Sequence, residues 1–321
     1  MLLFINLVPK IIDKSMTKDT GKIINNLTEL QMSPFNLNHP EAYAAWREQK
    51  LASYPINKTE LVVNIESLDG ITLDQQHQLI ERCNVANMAV YQCADKTVDT
   101  KKLRNFAAKF GLNQLDHHLC TEQDGVSVLT VSDDGPKEEF IPYSNRPIGW
   151  HTDGYYNDFE QRIYALMLHC EQPALEGGEN ALLDHEIAYI KLRDMNPDYI
   201  AALMQPDCMT IPAFNNNGML MRPERTGPVF DLIPGLDKLF MRFTARKRNI
   251  AWKDDPLVHE AVAALMDIMN DENSPVFFHT LEAGQGLISN NVLHTRTGFV
   301  DDPENHRRLY RARFLDRVKA I

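Results

Sequence analysis

From about residue 120 onward the sequence is a succession of short apolar runs, 126–131, 163–169, 181–183, 209–213, 229–232, 239–243, 276–281, 286–289 and 309–314, separated by turn-forming residues. Runs of three to seven residues are too short for helices and read as strands. So many short strands in one stretch must satisfy their edges against one another, which points to a jelly roll or barrel. The chain is therefore expected to be mainly β with α insertions. Stretches 185–203 and 257–269 have helical spacing, and Asn215-Asn216-Asn217-Gly218 reads as a loop.

Ahead of this core, 60–66 and 88–93 read as strands and 73–83 and 100–110 as helices, with Leu103, Phe106, Ala107 and Phe110 on one face. No Pro/Ser-rich linker and no internal repeat separates the parts. The expectation is one domain over 39–321, with a leading α+β segment at about 55–120 and the β core at about 121–316, preceded by a poorly determined arm, 1–38.

Composition excludes several classes. The 321 residues are 44% hydrophobic and 24% charged, ordinary for a globular chain large enough to bury a core. A formal net charge of −11, with no long Lys/Arg run, repels phosphate backbones, so nucleic acid is not an expected partner. The charge of a small substrate stays open, because a site can carry local charge of the opposite sign. Cys83, Cys93, Cys120, Cys170 and Cys208 are odd in number and contain no Cys-x-x-Cys pair, so neither a disulfide framework nor a zinc knuckle is encoded. The apolar start, 2–8, lacks a basic flank and is too short to span a bilayer, and Met16 and Met32 are alternative starts. A cytoplasmic protein without a membrane partner is expected, and a homodimer follows only from base rates.

The densest chemical signal is Trp150-His151-Thr152-Asp153. On a strand, residues i and i+2 share a face about 7 Å apart, so His151 and Asp153 can turn toward one ion. Imidazole with carboxylate suits divalent iron, and two histidines plus one carboxylate leave three positions for substrate and O2. Alone, the tripeptide is a weak signal that reads more readily as a His–Asp hydrogen bond near a strand end. His294 is the candidate second histidine, in the polar stretch 290–296 after the run 286–289. Thirteen residues further on comes Arg307, and Arg311 lies in an otherwise apolar final run, where a buried guanidinium needs an anion. The alternative for both arginines is an exposed strand edge.

Together His151, Asp153, His294 and Arg307 resemble the pattern of the TauD/TfdA (taurine dioxygenase/clavaminate synthase-like) superfamily of Fe(II)- and 2-oxoglutarate-dependent oxygenases. The resemblance covers about residues 55–316. The approach Ile141-Pro-Tyr-Ser-Asn-Arg-Pro-Ile-Gly-Trp-His-Thr-Asp153, with Leu168-His-Cys-Glu-Gln172, Gly177-Gly178, Lys191-Leu192 and Asn196-Pro197, looks like the γ-butyrobetaine and trimethyllysine hydroxylase branch. The tail His294-x-Arg296-x-x-Phe299 and Arg307-x-Leu309-x-Arg311 is similar to the end of the same domain.

The resemblance implies a double-stranded β-helix (jelly roll, cupin-like), a metal centre of His151, Asp153 and His294 that is also the catalytic set, and Arg307 pairing with the distal carboxylate of 2-oxoglutarate. It places Arg311 at the cosubstrate or at an anionic substrate. Asn180, in Gly177-Gly178-Glu179-Asn180, stands where the family offers a Thr or Ser hydroxyl. The implied reaction hydroxylates an unactivated C–H bond of a small polar substrate, consuming O2 and releasing succinate and CO2.

Around the first ligands lie Tyr143, Asn145, Trp150, Tyr155, Tyr156 and Asn157. Aromatic faces attract cations by about 0.5–2 kcal/mol per contact, favouring a betaine-like or amino-acid-like substrate. Core packing around a barrel mouth is the alternative for Trp150 and the tyrosines. Tyr143 matches one aromatic cage position of the betaine branch, whereas Gly154 stands where that cage has another tyrosine. A sulfonate or short-diacid oxygenase is the second enzymatic reading. A non-catalytic jelly-roll binding protein is a rival of another class, and a zinc hydrolase on the same three ligands leaves Arg307 and Arg311 without a role. His169 and His185 read as structural, the adjacent pair His117-His118 as a poor chelate, and Arg242, Arg246 and Arg248 as a solvated basic face.

Overall fold

The computed structural model describes residues 33–117, 124–132, 140–216, 218–246 and 250–319. Most of the expected N-terminal arm, together with Cys120, His118 and Arg248, lies outside the described residues.

Ten strands form the two principal sheets: β1 (Val62–Asn64), β2 (Met88–Gln92), β3 (Val126–Leu129), β4 (Ile148–His151), β5 (Ala165–Gln172), β6 (Asn180–Leu183), β7 (Phe277–His279), β8 (Gln285–Ser289), β9 (Leu293–Arg296) and β10 (Arg308–Phe314). The larger sheet runs β1-β2-β8-β5-β10-β3 and the smaller β7-β6-β9-β4. Only β1 and β2 pair in parallel; every other neighbouring pair in the two sheets is antiparallel. This is the expected double-stranded β-helix. The leading segment joins the core directly, since β2 hydrogen-bonds to β8 from Met88 to Gln92.

Strand alternation sets the two layers. On β10, Tyr310, Ala312 and Phe314 pack outward among Leu79, Ile80, Phe106 and Phe110, the apolar faces of α2 (Leu73–Ala86) and of the helix α3 (Thr100–Ala108) with its following turn. Leu309, Arg311 and Arg313 take the opposite, inward face. A Thr72–Gln75 capping box starts α2, and the Asp99 carboxylate caps α3. The smaller sheet is backed by α4 (His185–Met195), α5 (Pro197–Leu203) and α6 (Pro256–Asn270), with Trp150, Leu183 and Leu293 buried among Ile187, Ile200 and Leu265. Leu182, Val90, Leu166 and Leu287 fill the space between the sheets.

Two expectations need correction, and two elements had no counterpart among them. The helix expected over 185–203 is two helices, because Pro197 lacks an N–H and drives Asn196 to φ −161°, ψ 114°; Asn196 ends α4 and caps α5. The loop expected at 215–218 is partly strand, because Asn215 and Asn216 pair with Leu220 and Met219 where Phe214–Asn216 runs antiparallel to Met219–Arg222. A further helix, α1 (Pro40–Ser53), precedes the α+β segment, tied to α4 by buried Lys50, whose Nζ lies 2.7 Å from Asp184 and 2.5 Å from Glu186. The polar stretch around His294 is itself a strand, β9, paired on both edges.

Candidate metal centre

β4 and β9 lie side by side, and their antiparallel register sets His294 opposite His151, with ring centroids 4.1 Å apart. Each Nδ1 lies 2.9 Å from the backbone carbonyl two residues before it, Gly149 for His151 and Val292 for His294. A carbonyl only accepts, so Nδ1 carries a proton in both rings and Nε2 is the nitrogen turned toward a ligand. Such a hydrogen bond is the usual way a ligating imidazole is oriented.

Asp153 lies beyond the end of β4, where the chain is held by Thr152 N–H donating to the Phe243 carbonyl (3.0 Å) and Phe243 N–H donating to Thr152 Oγ1 (3.1 Å). Buried Asn291 clamps the turn: its Oδ1 accepts from Asp153 N–H (2.8 Å), and its Nδ2 donates to the carbonyls of Asp153 (2.9 Å) and Ile163 (2.7 Å). Asn291 adopts φ 56°, a left-handed conformation that asparagine tolerates better than most residues. Asp153 Oδ1 then stands 3.6 Å from His151 Nε2, and one donor atom from each of His151, Asp153 and His294 lies within 4.8 Å of the others.

Burial works against the Asp153 carboxylate, yet Arg311, with Nη1 3.6 Å from Oδ2, and His151 hold it well below the usual range. Burial and the neighbouring His151 pull His294 down to about 4. At neutral pH the cluster is therefore an anionic carboxylate beside a neutral imidazole, the protonation states a cation requires. Asp153 Oδ2 is buried and accepts no hydrogen bond. A mixed nitrogen–oxygen set with a free carboxylate oxygen fits a divalent transition metal.

Arg307, immediately before β10, is 5% exposed. Its backbone N–H is fixed by Asp301 Oδ1 (2.8 Å), its guanidinium lies 4.9 Å from the Phe299 ring centre, and no carboxylate pairs with that guanidinium among the described residues. It borders a cleft with Pro173, Gly177, Gly178, Asn180 and Leu281. Asn180 and Leu281 also border a second, small space lined by Val90, Leu168, Leu182 and Leu287. Arg307 and Asn180 thus meet at one cavity. The Asn180 Nδ2 faces the carbonyls of His279 (3.3 Å) and Gly178 (3.5 Å), so only its Oδ1 is left for a ligand. Arg311 sits at Asp153 instead.

Residues 69–313 match the family model described as taurine catabolism dioxygenase TauD, TfdA family. The chain belongs to the TauD/TfdA family. It is an oxidoreductase of a family that depends on Fe(II) and 2-oxoglutarate. A curated relative, uridine-5'-phosphate dioxygenase from Streptomyces sp, is 27% identical over 203 residues, 60% of this chain and 71% of that protein. Among solved structures, asparagine oxygenase with Fe(II), 2S,3S-3-hydroxyasparagine and succinate superposes with TM-score 0.54 at 14% identity, covering 79% of this chain and 93% of that one. The non-heme iron oxygenase OrfP with Fe and α-ketoglutaric acid gives TM-score 0.56 at 17% identity, covering 77% and 81%. Both structural likenesses are to the fold.

Within this TauD/TfdA chain the residues expected to form an aromatic substrate site do not come together. Trp150 is adjacent to His151 on β4 and so points to the opposite face, into the cluster under α4 and α5. Tyr143 is buried among Leu129, Cys170, Leu281 and Leu309. Asn145 is exposed, and its carbonyl accepts from Phe299 N–H at 3.2 Å. Only Tyr155 and Tyr156, in edge contact at 5.1 Å, follow the metal-side turn. Gly154 has φ +69°, and a Cβ there would lie 2.3 Å from Ile163 Cγ1, so a second cage tyrosine has no room at that position.

Two residues escaped sequence reasoning, and a third was named there without a role. Asn291 carried no signal beyond an asparagine in a polar stretch. Arg313 was legible in principle, two residues beyond Arg311 on the same strand face; it pairs with Asp116 and donates to Tyr156 Oη at 3.0 Å. Arg296, in the tail motif two beyond His294, is buried with no ion-pair partner among the described residues and donates to the carbonyls of Ser144 (2.7 Å) and Arg146 (2.6 Å); burial pulls it down to about 9.

Proposed function

We propose that this chain is a 2-oxoglutarate-dependent hydroxylase of a small, anion-bearing substrate, with Fe(II) held by His151, Asp153 and His294 and the distal carboxylate of 2-oxoglutarate held by Arg307. The convergence of one donor atom from each of three residues, all within 4.8 Å of one another, carries this reading. Bound iron and 2-oxoglutarate would supply the oxidising chemistry, with succinate and CO2 as products. The chain's own contribution is orientation: carbonyls fix both imidazoles, Asn291 fixes the carboxylate, and a buried guanidinium without an acid offers a planar fork to a carboxylate. Leucines 168, 182 and 287 keep the adjoining space apolar and poor in water.

The substrate class follows from the arginines at the site and from the curated relative, whose named substrate is a nucleoside phosphate. An amino acid, a diacid, a sulfonate or a nucleotide all present such an anion. A quaternary-amine cage has little support once Gly154, Trp150 and Tyr143 are placed. The same reading treats 39–321 as one oxygenase domain, since any cut between Asp153 and His294 destroys the centre.

The test is anaerobic addition of Fe(II) and 2-oxoglutarate to purified protein, followed by succinate release in air over amino acids, nucleotides, sulfonates, diacids and betaines. A weak visible charge-transfer band and substrate-stimulated succinate are expected. Folded protein showing neither contradicts the assignment, and coupled turnover of a quaternary amine alone contradicts the substrate class.

A further inference from the structure

We infer that the anionic group of the substrate is received by Arg222 and Arg246, beside the Tyr155–Tyr156 pair, and not by the arginines of β10. The inference deepens the reading above and rests on it. Tyr155 and Tyr156 leave the turn that carries Asp153, and the Arg222 guanidinium carbon lies 5.3 Å over the Tyr156 ring. Thr244 bridges to His151 across the edge of β4, and Arg246 N–H reaches Thr244 Oγ1 at 3.4 Å. Ala245 N–H, between them, donates to the Trp150 carbonyl at 2.8 Å, so the segment that carries Arg246 runs along the edge of the metal-side strand.

Most arginines of this corner are already paired. Arg162 Nη2 meets Asp231 at 2.5 Å, Arg225 Nη2 meets Asp158 at 2.6 Å, Arg313 meets Asp116, and Arg311 lies 3.6 Å from Asp153. Arg222 and Arg246 have no carboxylate within 4.0 Å among the described residues. Arg222 is half-buried: one nitrogen, Nη2, donates to the Pro212 carbonyl at 2.9 Å, and its Nε is buried with no acceptor. A buried guanidinium nitrogen without an acceptor carries a desolvation cost that a bound anion would relieve. On a chain of net charge −11 the lack of an acid at this spot is a local feature. A guanidinium laid on an aromatic face offers its donors edge-on, suited to the planar or tetrahedral oxygens of a carboxylate or phosphate monoester.

Calorimetry on the full-length protein distinguishes the two sources of anion, with uridine 5'-monophosphate, asparagine and uncharged uridine as probes, each titrated into wild type, Arg222→Met, Arg246→Met and Arg222→Lys. At least one charged probe is expected to bind and uridine to bind far more weakly. Each Met variant should raise the dissociation constant roughly ten- to a hundredfold, the worth of one hydrogen bond to a charged group, with Arg222→Lys recovering part of the loss. Phosphate selectivity would appear as binding of the nucleotide alone, carboxylate selectivity as binding of asparagine alone. Absence of binding by both charged probes, equal binding of uridine, or Met variants that are folded by circular dichroism and bind as wild type each overturn the inference. The Fe(II)/2-oxoglutarate band is read on the same samples. If wild type lacks the band, the metal reading fails; if the band forms and the arginine substitutions change nothing, only the anion site fails.

Discussion

Replacing Asn291 by alanine tests how Asp153 is held. The side chain is 3% exposed and makes three hydrogen bonds, so the substitution orphans the Asp153 N–H and the Asp153 and Ile163 carbonyls. Each buried orphan costs about 1–3 kcal/mol. Water entering the vacated space recovers part of this, whereas alanine at φ 56° adds about 1–2 kcal/mol of left-handed strain. The expected loss is about 3–5 kcal/mol, a large fraction of the roughly 5–15 kcal/mol that stabilises a folded chain. In a chain of 321 residues that lowers the melting temperature by roughly 4–8 °C. Fe(II) affinity should fall about 10–100-fold, the typical cost of losing a residue that orients a ligand. Asn291→Gly removes the same bonds without the strain, so it should melt above Asn291→Ala while binding iron equally poorly. Thermal unfolding of the metal-free protein and anaerobic Fe(II) titration measure the two effects. An alanine variant that melts within about 2 °C of wild type and binds Fe(II) unchanged refutes the reasoning.

Three further outcomes are expected. Arg307→Leu should raise the 2-oxoglutarate KM at least roughly tenfold while leaving Fe(II) affinity within about twofold, and equal effects on both would contradict its assigned place. Lys50→Met leaves Asp184 and Glu186 buried without their cation, and chemical denaturation should show a loss of about 3–5 kcal/mol. Burial opposes the Glu186 carboxylate, but Lys50 overrides it and holds the group at about 2. Because this folded value lies below the unfolded one of about 4.3, the contribution is complete above that pH and fades as pH falls toward the folded value. The acid limb of a stability–pH curve should therefore flatten in Lys50→Met. Gly154→Ala meets Ile163 and a φ of +69°, and calorimetric melting should report about 2–4 kcal/mol of destabilisation.

Much of the fold was legible because its signals are local. The short runs became strands, and Leu103, Phe106 and Ala107 of α3 bury the face that their spacing announced. The break at Asn196 could have been read from Pro197. The helix α1 is held by a buried Lys50 pairing with α4, more than 130 residues away, and no local pattern records such a contact.

The sequence by itself determined the chemistry available: which residues can ligate, which arginines stand near the final apolar run, and that many short strands must close on themselves. Only the tertiary structure decided how these are used. The register of β9 against β4 set His294 opposite His151, and the alternation of β4 turned Trp150 away from the substrate side. Asn291, from the far end of the chain, fixed the Asp153 turn, and the positive φ of Gly154 left no room for a cage tyrosine. Long-range register and side-chain direction depend on which strands become neighbours, and that is settled by burying the whole core, not by any single stretch of residues.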